Sequence, residues 1–179
     1  MILTECPSRR NQVPIDVEMV LDPDVLIVSK TDPNSLITYA NPEFCCYSGY
    51  REQELLGKPQ NIVRHPDMPR AIFDLMWSHL RQEQEFFGYI KNRCKDGGFY
   101  WTFASVAPVY ENGRHTGYIS ARRCPSRHAL AVLEPIYTLM RSIEHQHTVK
   151  EEQIAQSSAE LWCAINKEYS SYAEFILSL

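Results

Sequence analysis

The chain has 179 residues, with 22 acidic and 18 basic side chains, a net charge of −4 and 44% hydrophobic content. That composition fits one compact domain of about 100–150 residues plus an appendage and excludes wholesale disorder. The lysines and arginines are scattered without a basic run, which excludes a nucleic-acid binder that works through phosphate contacts.

Residues 1–24 carry little periodicity and are expected to form a loosely ordered N-cap. "VLIVSKTD" is a short apolar strand that stops at the turn formers of "TDPNS", and "LITYA" returns from it, so the two form a hairpin. In "NPEFCCYSGY" Asn41 is the N-cap of a short helix, Pro42 its first position and Gly49 its C-cap. "REQELLGKP" repeats the pattern as a second short helix closed by Gly57. From Pro69 to Arg81 the apolar residues Ile72, Phe73, Met76, Trp77 and Leu80 make one stripe of a 3.6-period helix. The period then changes to two, and three strands follow, joined by turns at Asp96-Gly97-Gly98 and Glu111-Asn112-Gly113. Residues 127–145 and 149–177 are predicted helical, with Leu133, Ile136, Met140 and Ile143 on one stripe and Ile154, Leu161 and Ile165 on another. The fold class is therefore α+β: a five-stranded antiparallel sheet with short helices on one face, followed by C-terminal helices. The expected domains are 25–125 for the sheet unit and 126–179 for a helical signalling or interaction segment.

Six cysteines form no CxxC pair, so neither a zinc ribbon nor a dithiol redox motif is supported. No metal site is expected. With no signal peptide, this cysteine usage predicts a reducing, cytoplasmic compartment. No apolar run approaches the roughly 20 residues of a membrane span. The chain stops on "YAEFILSL", which leaves room for a fragment of a longer, membrane-associated receptor.

Alternation along "FFGYIKNRC" puts Gly88, Ile90 and Asn92 on one strand face and Tyr89, Lys91 and Arg93 on the other. The Ile90 face is expected to look toward the helices, so Asn92 places an amide in an apolar concavity. There it either satisfies backbone groups or meets a ligand edge that has both donors and acceptors, such as a flavin or purine. Trp77 is either plain core or a stacking surface for a planar ligand in the same concavity. Trp101 and Phe103 fall on the outer face of the sheet, where an N-cap or a partner can dock. In "NIVRHPDMPR", Arg64, His65 and Asp67 crowd a turn restricted by Pro66 and Pro69. His65 is a surface histidine, an axial haem ligand or an acid–base group, although no nucleophile motif accompanies it. Arg64 suits a phosphate, and Asp67 suits a ribose hydroxyl or the imidazole.

The stretches "ITYANPEFCCYSGY", "ELLGKPQNIVRHPDMPRAIFDLMW", "KNRCKDGGFYW" and "APVYENGRHTGYISAR" together resemble a PAS domain. More narrowly, they resemble the FAD-binding PAS domain of bacterial aerotaxis receptors. "ANxxFxxxSGY" with "ExxG" is general to PAS domains, whereas "NxVRHPDMP…MW" with "KNR" is specific to the flavin-binding aerotaxis type. The resemblance implies non-covalent FAD used as a redox reporter, contacted by Asn41, Arg64, His65, Asp67, Phe73, Trp77 and Asn92. It implies a sensor without turnover of its own, working through its C-terminal helices as a homodimer or on a chemoreceptor or HAMP-like partner. Two departures stand out. Phe86 occupies a position where those receptors have tryptophan, implying a looser pocket wall, and the membrane, HAMP and methyl-accepting segments are not present. Light-sensing relatives place a reactive cysteine after the short helices; none stands there, so photo-adduct chemistry is not expected. The alternatives are a haem PAS gas sensor with His65 as axial ligand and a ligand-free PAS dimerisation or interaction module.

Overall fold

The computed structural model describes residues 15–179. Most of the predicted 1–24 N-cap, Cys6 included, lies outside these residues. Five strands, β1 (Ile27–Thr31), β2 (Ile37–Ala40), β3 (Phe86–Arg93), β4 (Phe99–Glu111) and β5 (Arg114–Arg123), form one antiparallel sheet in the order β2-β1-β5-β4-β3. The helices are α1 (Pro42–Ser48), α2 (Glu52–Leu55), α3 (Arg70–Arg81), α4 (Arg127–Gln146), α5 (Lys150–Ile165) and α6 (Tyr172–Ser178), with a 3-10 turn at Gln60–Val63.

Local chemistry accounts for most of these boundaries. Asn41 caps α1 by accepting the Phe44 N–H at 3.0 Å, and it also accepts Val28 N–H and donates to Leu26 O, so the cap pins α1 to β1. Helix α2 ends earlier than predicted, at Leu55, with Leu56 as its C-cap and Gly57 beyond it. The β4–β5 hairpin turns through Asn112 and Gly113, both at positive φ, as a tight hairpin requires. Gly117 sits at φ 150° where β5 passes β1, and a Cβ there would collide with the Thr31 carbonyl oxygen.

The helix predicted over 127–145 is found as α4, and the C-terminal region differs from the expectation in two ways. Pro135 lies inside α4, and the helix runs through it, held by buried Leu130, Leu133, Tyr137 and Met140. The buried stripe is therefore rotated from the predicted one, with Ile136 and Ile143 only half-buried at its flank. The helix predicted over 149–177 is two helices: α5 ends at Ile165 with Asn166 as its C-cap, and Ser171 starts α6 by accepting the Glu174 N–H. Glu174 in turn accepts from Ser170 N–H and Oγ–H, a variant of the capping box.

Inward residues of β4 (Tyr100, Thr102, Ala104) face the short helices, and outward ones (Trp101, Phe103) face α4, whose Tyr137 ring lies 6.2 Å from Trp101. The outer sheet face is thus occupied by the chain's own α4. Phe86, expected at a pocket wall, instead stacks on Tyr172 of α6 at 5.8 Å, between the edge strand and the last helix. Helix α5 packs against α3, so the C-terminal segment wraps around the β3 edge and covers both its flanks.

Candidate functional site

Between the inner sheet face and α3 lies a cavity of about 350 Å³. Its floor is Ile90 and Asn92 of β3, Ala104 and Val106 of β4, and Ser120 and Arg122 of β5. Phe73, Met76, Trp77 and Leu80 of α3 form one wall, and Ser29 and Thr31 of β1 with the Gln60–Arg64 segment form the other. Asn34, Ser35 and Asn61 line it as well, adding polar groups to one side. The volume lies at the low end of ligand pockets, which suits a planar heterocycle more than a whole dinucleotide.

Alternation works here as predicted, with Ile90 and Asn92 both facing the cavity. Asn92 is 4% exposed. Its Nδ2 donates to Ile90 O and Thr102 Oγ1, both at 3.2 Å, and among the described residues no donor reaches its Oδ1. The amide is half satisfied by the protein, and its acceptor remains available to a ligand. The Trp77 and Tyr118 rings meet nearly at right angles, with their centres 5.4 Å apart.

The 64–67 stretch divides in two. Arg64 forms an antiparallel bridge with Asn92 on the free edge of β3, so its side chain shares the cavity face, with the guanidinium 4.2 Å from the centre of the Phe73 ring. Burial lowers the Arg64 pKa from its ordinary value, and Arg70 adds to the effect. The next residue points the other way. His65 is buried edge-on to outward-facing Phe99 at 5.8 Å, and its Nδ1 accepts the Asp67 N–H at 3.1 Å. Burial, then the charge of Lys91, push the His65 pKa down to about 4, with Asp67 opposing them. Asp67 is exposed and bound to Lys91 at 2.8 Å. Its own burial works to raise its pKa, but the Lys91 hydrogen bond and charge outweigh that and hold the carboxyl below its usual range.

Of the seven residues expected to contact a cofactor, Arg64, Phe73, Trp77 and Asn92 come together on one cavity. Asn41, His65 and Asp67 do not line it. Among the cavity residues that the sequence did not single out are Ser29, Gln60, Ser120 and Arg122. The available signal was the alternation in "YISARR", which puts Ser120 and Arg122 on the same inward strand face.

The strand order and the helices packed on the inner face agree with a comparison of the chain with family models, in which the PAS fold matches residues 37–122. Residues 37–122 carry the PAS fold. This PAS region is similar to the aerotaxis receptor of Escherichia coli, at 42% identity over 119 residues, which is 66% of this chain and 24% of the receptor. The nitrogen fixation regulatory protein of Klebsiella pneumoniae is 35% identical over 54% of this chain and 20% of its own length. The chain therefore spans about a quarter or less of these curated relatives. Among solved structures, a PAS domain from Colwellia psychrerythraea superposes with a TM-score of 0.52 at 23% identity, covering 57% of this chain and 87% of that one. The dark structure of the blue-light photoreceptor Aureochrome1 LOV gives 0.54 at 18% identity, covering 68% and 98%. Both structural likenesses speak to the fold alone. No helix among the described residues is long and apolar enough to cross a membrane.

Proposed function

We propose that this PAS domain binds FAD non-covalently and acts, without turnover of its own, as a cytoplasmic redox sensor of the aerotaxis type. The observation that carries the reading is the unpaired Oδ1 of buried Asn92, set in a cavity whose remaining walls are largely aromatic and aliphatic. The 42% identity to the aerotaxis receptor supports it. Arg64, Phe73, Trp77 and Asn92 would hold the cofactor. Asn92 Oδ1 would accept from the ring edge, Trp77 and Phe73 would exclude water from its faces, and Arg64 would offer N–H groups to a diphosphate. Asn41 and the His65–Asp67 turn would support the walls, the first by tying β1 to α1 and the second by fixing the segment that carries Arg64. A bound flavin supplies reversible electron transfer coupled to a proton.

The output would travel through α3. This helix forms a cavity wall on one side and packs on α5 on the other, and Glu144 of α4 accepts its Ala71 N–H at 3.1 Å. A change in what Asn92 and the α3 wall contact must favour one arrangement of these helices for a signal to result. A homodimer or a chemoreceptor-like partner would read that arrangement. The test is the visible spectrum of the purified protein before and after dithionite. Flavin absorption that bleaches on reduction is expected; colourless protein that takes up no added FAD would overturn the reading. A haem on His65 finds no support, because that ring lies off the cavity and its Nδ1 is taken by Asp67 N–H.

A further inference from the structure

Arg122 is the least explained charge in the molecule. It is 6% exposed and lines the cavity floor, yet among the described residues no carboxylate faces it. Among the described residues its only hydrogen-bond partner is Ser29 Oγ, reached by both terminal nitrogens at 3.1 and 3.2 Å. The Phe44 ring lies 5.2 Å away, and the buried Tyr100 hydroxyl is the titratable group among the described residues that acts on it. A guanidinium has five N–H donors and cannot shed its charge, so an unpaired one in the interior carries a desolvation cost that the fold does not offset. Its surroundings share the same shortage. Ser29 Oγ–H donates to Gln60 Oε1, which leaves Gln60 Nε2 buried without an acceptor. Ser120, opposite Ser29 in the β1–β5 register, holds an equally buried and unpartnered hydroxyl. The cluster is a set of donors around a fixed positive charge, with no anion among them.

We propose that Arg122, with Gln60 and Ser120, forms an anion-stabilising subsite of the cavity that receives the carbonyl-bearing edge of the flavin, where negative charge collects on reduction. This rests on the FAD reading above. A buried cation beside that edge binds the reduced form more tightly than the oxidised form and raises the reduction potential, while Asn92 supplies the acceptor. The subsite thus positions the ring and sets the redox level at which the sensor switches.

The experiment measures the midpoint potential of FAD-loaded protein against pH, for the full chain and for Arg122→Gln and Arg122→Lys. Uptake of two electrons with one proton, leaving the reduced ring anionic, gives a wild-type slope of about 30 mV per pH unit, since tenfold in a two-electron equilibrium is 29.6 mV. Arg122→Gln is expected to weaken the reduced form at least tenfold against the oxidised, lowering the potential by about 30 mV or more. Arg122→Lys, which keeps the charge, should stay near wild type. A wild-type slope near 59 mV per pH unit, or an Arg122→Gln potential equal to wild type, would overturn the subsite while leaving the FAD reading intact. If Arg122→Gln fails to fold, the wild-type slope alone decides. Protein that takes up no FAD overturns both.

Discussion

Arg64 and His65 are adjacent in the chain and lie on opposite sides of the sheet, because the bridge to Asn92 imposes strand alternation on a segment that is otherwise a turn. Sequence composition showed a crowd of polar groups but not this bridge, since pairing to an edge strand about 28 positions away leaves no local trace. Asn92, by contrast, was legible, because its place follows from period two within its own strand. The burial of His65 has a consequence for stability. An unfolded histidine titrates near 6.5 and the native one at about 4, so between those values the unfolded chain binds the extra proton. Stability therefore rises with pH across this window; the contribution is fully present above 6.5 and is lost as pH falls toward 4. The loss amounts to about 3 kcal/mol at most. Urea unfolding of wild type and His65→Gln between pH 4 and 7 should show a steep limb in the first and a flatter one in the second. Equal slopes would place the acid sensitivity elsewhere.

At the scale of elements, α3 has no side-chain cap of its own: its N-cap is Pro69, which offers no acceptor. The acceptor comes instead from Glu144 near the end of α4, which is 1% exposed, accepts Ala71 N–H and meets Arg141 at 3.3 Å. A carboxylate near a helix N-terminus also gains from the helix dipole. The α4 stripe was legible in part: Leu133 and Met140 were on it, whereas Leu130, Tyr137 and Glu144 were not, the last because a charged side chain in a buried stripe contradicts apolar patterning until its partner is seen. The same holds for the α5–α6 break, whose Ser171 and Glu174 spacing was visible but sat inside a continuous helical pattern. Glu144→Ala leaves a buried N–H and Arg141 without their partner and is expected to cost about 1–3 kcal/mol in chemical denaturation. Glu144→Gln keeps the acceptor and should cost less. Equal stability of wild type and Glu144→Ala would show that α3 is capped in another way.

At the scale of the whole molecule, the C-terminal helices are part of the core and not an appended arm. Trp101 is 4% exposed only because α4 lies over it, and Tyr137 ties α4 to β3 by donating to Tyr89 O while meeting the Tyr172 hydroxyl of α6. The sheet unit was legible from hairpin signals and alternation. The docking of the helices was not, since amphipathic stripes state that a face is apolar and leave its partner unnamed. A boundary at residue 125, natural from the turn signals, therefore cuts through a single apolar cluster that joins both flanks of β3. Removing residues 126–179 would expose the outward aromatic residues of β3 and β4 as a contiguous patch and uncover the β3 edge, a template for association with other chains. The truncated protein should elute as dimers or larger species in size-exclusion chromatography with light scattering, at a lower melting temperature than the full chain. A monomeric fragment that melts at the full-length temperature would instead show that the helices rest on the sheet without stabilising it, free to leave for a partner.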